Sequence, residues 1–304
     1  MRVVTLLPSA TEIVCALGVD PVGVSHECDF PDRVRGLPAV NRSRVDPDAD
    51  SETINEQVVR AERAGGVYEI DQETLSRLDP DLIVTQGICD VCAIDSVLVE
   101  RAVERLDLDC RVLTTDPHSV EDVLSDIDRI GAALDRSDRA TDLVSELRSR
   151  IARVRARTES VENRPRTAVL DWLSPVMVAG HWVPEMVEWA GGEYGMADPG
   201  ARSTAREFES VLAYDPEVLI AAPCGFGLER TIRDRSELTD RSGFRALSAT
   251  EADAVYAVDG NHYVNRPGPR LVDTLEAFAG LIHPDRFESN ESPFVERLGT
   301  RSVV

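Results

Sequence analysis

An α/β fold of two lobes, each around a parallel sheet and joined by a long helix, is the class this 304-residue sequence predicts. Three observations carry it. Short apolar runs alternate with amphipathic stretches through the first third of the chain, the pattern of parallel βα units. The phrase Asp79-Pro80-Asp81-Leu82-Ile83-Val84 returns in the second half as Asp215-Pro216-Glu217-Val218-Leu219-Ile220, so a helix, a proline turn and a buried strand repeat. Between the halves, apolar residues recur at helical spacing: Val120, Val123, Ile127 and Ile130, then Leu143, Leu147, Ile151 and Val154. The chain divides accordingly into an amino-terminal lobe over 1–134, a connecting helix over 135–163 and a carboxyl-terminal lobe over 164–304.

In order, Val3–Leu7 reads as the first strand, and Ser9 or Thr11 caps a helix over Glu12–Leu17 that ends at Gly18. Val22–Val24 is a second strand and Ala39-Val40 a weak third. Helices follow over Ser51–Ala64 and Gln72–Leu78, then a strand at Leu82–Thr85, a helix over Asp95–Arg105 and a strand at Arg111–Leu113. Ser119 with Asp122 resembles a capping box at the head of the helical middle, which breaks at Asp135–Asp138. The second middle helix runs roughly 25 residues without Pro or Gly, about 40 Å, enough to bridge two lobes. Strands resume at Ala168–Leu170, Val176–Val178, Val218–Ala221 and Asp253–Ala257, with helices over Pro184–Ala190, Phe208–Ala213 and Leu271–Leu281. The last stretch is polar and reads as loosely ordered.

Composition narrows the function classes. With 33 basic and 55 acidic residues the formal charge is −22, and every basic residue is arginine. No basic patch stands out to neutralise phosphates, which argues against nucleic acid. A lysine-free, carboxylate-rich surface suits very high salt, where self-repulsion is screened, so a halophilic setting is expected. No charged leader with an apolar stretch and cleavage site opens the chain, and no run reaches a membrane span, so the expectation is a cytoplasmic protein without membrane insertion. The six cysteines are then expected as thiols or metal ligands rather than disulfides.

Val3-Val4-Thr5-Leu6-Leu7-Pro8-Ser9-Ala10-Thr11-Glu12, Leu17-Gly18, Val22-Gly23-Val24-Ser25, Leu78-Asp79-Pro80-Asp81-Leu82-Ile83, the long middle helix and Asp215–Ile220 together resemble one known family. It is the class III ABC-type substrate-binding proteins of iron-siderophore, haem and cobalamin importers, and the similarity is greatest to the cobalamin-binding branch. The resemblance runs from residue 2 to about 285. It implies two Rossmann-like lobes joined by a rigid backbone helix, as in helical-backbone metal receptors, a small-molecule metal complex held between the lobes, and an ABC permease as partner. The expected absence of a secretion signal or lipid anchor would be a departure from that family. The chain also adds His-Glu-Cys, Cys-x-x-Cys, Gly-His-Trp, Pro-Cys-Gly-Phe and Asn-Arg-Pro-Gly-Pro-Arg, which resemble the marks of a cytosolic subgroup.

Candidate site residues lie where loops leave strand ends, the usual ligand edge of parallel sheets. His26, Cys28, Cys89 and Cys92 offer one imidazole and three thiols, a donor set suited to Zn or Fe, with Cys224 as a further ligand. A redox pair and buried structural thiols are the alternatives, and Cys15 and Cys110 read as core. Ser9 and Thr11 sit at the first strand-to-helix turn, where an anion can be held. In the second half, His181 can approach a ligand's metal, while Trp182, Phe226 and Tyr263 can line a large ring and Asn265 and Arg266 can supply polar contacts. The phosphate loop, the dinucleotide fingerprint and the serine nucleophile elbow are absent from the sequence, which assigns no catalytic residue. Two readings stand. One is a noncatalytic binding protein for a corrinoid (cobalamin-like) or other iron or metal complex. The other is a cytosolic metal-binding protein or metalloenzyme built on the His26, Cys28, Cys89 and Cys92 cluster.

Overall fold

The computed structural model describes residues 1–63, 66–88, 94, 96–287 and 292–299. The chain forms two compact units. One comprises Met1–Ala49, Thr53–Pro117 and Glu121–Ser145; the other comprises Asp50–Glu52, His118–Val120 and Glu146–Val304. Among the described residues, no helix is long and apolar enough to cross a membrane.

The first half of the chain runs β1 (Val3–Thr5), α1 (Pro8–Ala16), β2 (Gly23–Val24), β3 (Asn41–Ser43), α2 (Ser51–Arg63), β4 (Tyr68–Ile70), α3 (Gln72–Leu78), β5 (Leu82–Gln86), α4 (Ser96–Arg105), β6 (Arg111–Thr115), α5 (Val120–Ala133) and α6 (Ser137–Thr158). Its sheet has the order β2-β1-β5-β6, parallel throughout, because each βα unit returns the chain in the same direction. β5 is buried along its whole length, which explains its continuous apolar start. Val4, Leu6, Leu75, Ile83 and Val99 close the core around it. Truncating one of these to alanine costs about 2–5 kcal/mol. The helix α6 has 22 residues, about 33 Å at 1.5 Å per residue, and passes from the first unit into the second.

Two local expectations are corrected here. α1 starts at Pro8, with Leu7 as its cap and no side-chain capping bond, because proline's fixed φ suits a first helical position. Ser9 and Thr11 therefore lie inside the helix. The third strand sits at Asn41–Ser43 rather than Ala39-Val40, where Ala39 makes only an isolated bridge to Val24. It pairs antiparallel with β4 across the intervening α2, and its own Asn-Arg-Ser gave no apolar residue to read. Asp95, expected to open the fourth helix, lies outside the described residues, as does Ala64 at the end of the second.

The second half runs β7 (Thr167–Leu173), β8 (Val176–Val178), α7 (Val183–Trp189), β9 (Thr204–Ala205), α8 (Phe208–Tyr214), β10 (Val218–Ala221), α9 (Leu228–Arg233), α10 (Ser236–Thr239), α11 (Ser248–Glu251), β11 (Val255–Val258), α12 (Leu271–Ile282) and β12 (Val295–Arg297). Its sheet has the order β12-β11-β10-β7-β8-β9. Only β7, β10 and β11 are mutually parallel; β8, β9 and β12 are antiparallel additions, so this sheet is mixed rather than parallel throughout. The expectation of a loosely ordered end is corrected for Val295–Arg297, which pair with Tyr256–Val258. Arg150 on α6 anchors that helix to α12 through a forked pair with Glu276, Nε at 3.0 Å and Nη2 at 2.6 Å, and through Asp273.

The repeated phrase has a structural counterpart. Asp79 and Asp215 each end a helix in the left-handed region, at φ 45° and 48°. The amides of Asp81 and Leu82 both donate to Arg2 O, and those of Glu217 and Val218 both donate to Arg166 O. The same turn thus feeds β5 alongside β1 and β10 alongside β7.

Candidate functional site

In the first unit, the loop after β2 sorts its side chains by a turn. Ser25 N donates to Thr5 O at 2.8 Å, extending the ladder, and Cys28 N returns to Ser25 O at 3.0 Å. Cys28 therefore points inward and is buried with Cys15, Val24 and Val34, its Sγ 2.9 Å from Thr11 Oγ1. His26 stays at the surface. Its backbone N and its Nδ1 both reach Asn41 Oδ1, at 2.9 and 3.2 Å, which assigns the proton to Nδ1 because that oxygen only accepts. Glu27 Oε1 lies 3.8 Å from His26 Nε2 and accepts from Tyr68 O–H at 3.2 Å. Burial pushes the Cys15 thiol up, so it behaves as a small apolar group.

This placement separates residues that the sequence grouped. Cys28 faces the core while His26 faces Asn41 and Tyr68. Cys89 and Cys92 lie outside the described residues, and Cys224 belongs to the second unit. Among the described residues, no three His, Cys, Asp or Glu side chains converge as a metal-ion site. Thr11 is fully buried, its hydroxyl engaged by Thr5 and Leu7, and Ser9 is nearly so.

The second unit builds a more developed edge where β7, β10 and β11 end together. Beyond β10, Cys224 N donates to Asp171 O at 2.9 Å, and Phe226 N folds back to Pro223 O at 3.0 Å. Beyond β11, Asp259 caps a wide turn over Gly260–Val264. Asn261 N donates to Phe226 O at 3.0 Å, and Asn265 Nδ2 donates to Ala222 O at 2.8 Å, tying the two loops together. Gly260 makes this possible: a Cβ there would lie 2.2 Å from Pro223 O and 2.4 Å from Ala222 O.

Two features of this edge can meet a ligand. Asp259 Oδ1 accepts from His262 N and Oδ2 accepts from His262 Nδ1, both at 2.8 Å. Asp259 is buried, its side chain 12% exposed, so the bond fixes the ring and the tautomer and turns Nε2 away from Asp259, 3.4 Å from Asn261 Nδ2. Beside it, Trp172 tilts against Phe226 at 5.2 Å, and the Arg230 guanidinium lies 3.6 Å over the Phe226 ring. A Cβ on Gly227 would stand 3.8 Å from both Asp259 Oδ2 and His262 Cε1, which places the Phe226 turn against the clamped imidazole. An aromatic and cationic wall next to a carboxylate-oriented imidazole can take a flat ring and a metal.

The sequence-selected residues largely hold this edge in shape. Trp182 is buried and its Nε1 donates to Val264 O at 2.9 Å. Phe226 is buried under Arg230, and Arg266, 3% exposed, donates from Nε to Asn261 O at 3.0 Å. Tyr263 stacks on Phe294 at 3.8 Å with Arg270 over it. His181 occupies the left-handed region at φ 53°, half-buried between the rings of His118 and Trp182. Tyr194 donates to Ala179 O at 2.6 Å, and burial raises its phenol well above the ordinary value, so it remains a neutral donor. Trp172 was missed, and His262, though it belongs to the polar loop after the late strand Val255–Val258, was not singled out from it. The signal for His262 was Asp259 three residues ahead of it, the spacing of a helix cap.

Residues 3–261 match the family model described as "Periplasmic binding protein". The chain is 24% identical over 293 residues to the uncharacterized ABC transporter substrate-binding lipoprotein YvrC of Bacillus subtilis, covering 94% of this chain and 81% of that protein. It is 24% identical over 224 residues to the vitamin B12-binding protein of Salmonella choleraesuis, covering 73% and 72%. The solved structure of the apo periplasmic heme-binding protein RhuT from Roseiflexus sp. RS-1 superposes with a TM-score of 0.70 at 22% identity, over 93% of this chain and 98% of that one.

Proposed function

The chain belongs to the periplasmic binding protein family, and we propose that its ligand is a metal-containing macrocycle of the corrinoid class, with haem as the competing cargo. The observation that carries this reading is the second unit's edge: Trp172 and Arg230, both packed on the buried Phe226 ring, beside an imidazole clamped by Asp259. A macrocycle needs a flat apolar contact for its ring and a basic nitrogen for its metal. Asp259 makes His262 a better metal ligand by holding Nδ1–H, the arrangement common behind metal-bound imidazoles. The vitamin B12-binding and heme-binding relatives support the ligand class. A membrane permease is the expected recipient, by family membership.

The test is to purify the native protein without added ligand and record an absorption spectrum with elemental analysis, then titrate with hydroxocobalamin and with hemin. The reading expects saturable corrinoid binding that weakens in His262→Ala. Near-stoichiometric zinc, lost in Cys89→Ser and unaffected by His262→Ala, would replace it with a protein-held metal centre.

A further inference from the structure

The first unit carries a recess of about 360 Å³ that the reading above does not use, lined from α4, β4 and the end of β3. Arg44, Arg101 and Arg105 line it together with Tyr68, Gln72 and Leu98, and one carboxylate, Glu69, also borders it. Arg44 is already engaged: its Nε and Nη2 lie 3.0 and 2.9 Å from Glu69 Oε1, its Nη1 donates to Gly66 O at 3.0 Å, and Glu69 is shared with Arg42 at 2.6 Å, so it contributes charge rather than a free fork. Arg101 and Arg105 are different. They stand one turn apart on the same helix face, both exposed, and among the described residues neither makes a hydrogen bond or ion pair. Glu104, next to Arg105, is exposed and pairs with neither.

What sets Arg101 and Arg105 apart is that both line one recess, where two guanidiniums can meet the same ligand. Like charges a turn apart repel, and an anion between them relieves that repulsion. Guanidinium forks match phosphate oxygens two at a time, and they do so through geometry as well as charge. The recess is larger than a bare phosphate requires and falls in the size range of small-molecule sites. We propose that it binds a small phosphate ester, the phosphate on Arg101 and Arg105 with support from Arg44, and the organic group against Tyr68 and Leu98. This site is independent of the macrocycle edge.

The experiment is calorimetric titration of the full chain with phenyl phosphate and, separately, with inorganic phosphate, at fixed ionic strength set with KCl. Saturable binding is expected, tighter for phenyl phosphate. The double variant Arg101→Gln/Arg105→Gln should bind at least ~10-fold more weakly, because two charge-assisted contacts are lost. Arg101→Lys/Arg105→Lys should fall between, keeping charge without the fork. Both variants should melt like the parent and keep its response to hydroxocobalamin, whatever that response is. No saturable heat with either anion, or equal binding by the Gln double variant, would overturn the site. Inorganic phosphate binding as tightly as phenyl phosphate would overturn the ester assignment.

Discussion

Replacing Asp259 separates the two jobs its carboxylate performs. Oδ1 caps the turn through His262 N and Oδ2 holds His262 Nδ1, each at 2.8 Å in a site 8% exposed. Asparagine is nearly as good a cap as aspartate, so Asp259→Asn keeps the first bond and costs little there. The second bond changes character. The charge-assisted bond is lost, a difference of about 1 kcal/mol, and the amide NH2 now faces Nδ1, which moves the ring proton to Nε2. An imidazole protonated at Nε2 cannot ligate a metal through that atom. Losing such an outer carboxylate weakens metal binding about 10–100-fold, or roughly 1.4–2.7 kcal/mol. Asp259→Ala removes the cap as well, adding about 1 kcal/mol of destabilisation. Thermal melts and hydroxocobalamin titrations of both variants separate these effects. The expected result is a near-parental melt but a weakened titration for Asp259→Asn, and losses in both for Asp259→Ala. Parental affinity in Asp259→Asn would refute the role given to the clamp.

Further expectations follow from the same geometry. Gly260→Ala forces a Cβ against the carbonyls of Ala222 and Pro223, so it should cost about 1–3 kcal/mol in chemical denaturation and weaken ligand binding with it. Burial raises the Asp126 carboxyl to about 6, against the opposing pull of Arg129. Because this folded value lies above the unfolded one, the group's stabilising contribution is fully present below pH about 4 and is lost as pH rises to about 6, a change of about 2–3 kcal/mol. Asp126→Asn should remove that slope from denaturation curves measured across this window. Arg150→Ala should cost about 1 kcal/mol in the same assay, since its forked pair with Glu276 is only partly shielded. With a formal charge of −22, the melting temperature should rise with KCl as the Debye length falls from about 10 Å at 0.1 M to about 3 Å at 1 M; a flat response would contradict the halophilic expectation.

The parts of the fold that could be read from the sequence are those whose signal is local and physical. β5 and β10 are apolar because both faces are covered, and the Asp-Pro turns ahead of them mark the ends of α3 and α8. The β3–β4 pair was hidden because it is a separate two-stranded sheet of three-residue strands, and Asn-Arg-Ser carries no apolar residue. The short helices α9 and α10 are charged single turns or little more, held by tertiary packing around Thr231 and Leu238 rather than by propensity. At the site, sequence reasoning favoured the largest aromatic and basic residues of the loops at the strand ends. Trp182, Phe226 and Arg266 turn inward to brace the loops, since burying a ring or satisfying a guanidinium on backbone carbonyls fixes a turn as well as any ligand does. Trp172 lies beyond the strand expected at Ala168–Leu170, on the part of β7 that runs on to Leu173, and it is partly exposed where β7 gives way to its hairpin.

The most direct measurement is the visible spectrum of the protein mixed with hydroxocobalamin, whose cobalt-bound water is exchangeable, before and after exhaustive dialysis. The account predicts retained corrinoid at one per chain, with the cobalt bands shifted by nitrogen ligation in the parent and unshifted in His262→Ala. Full removal of corrinoid on dialysis, with hemin equally unretained, would contradict it.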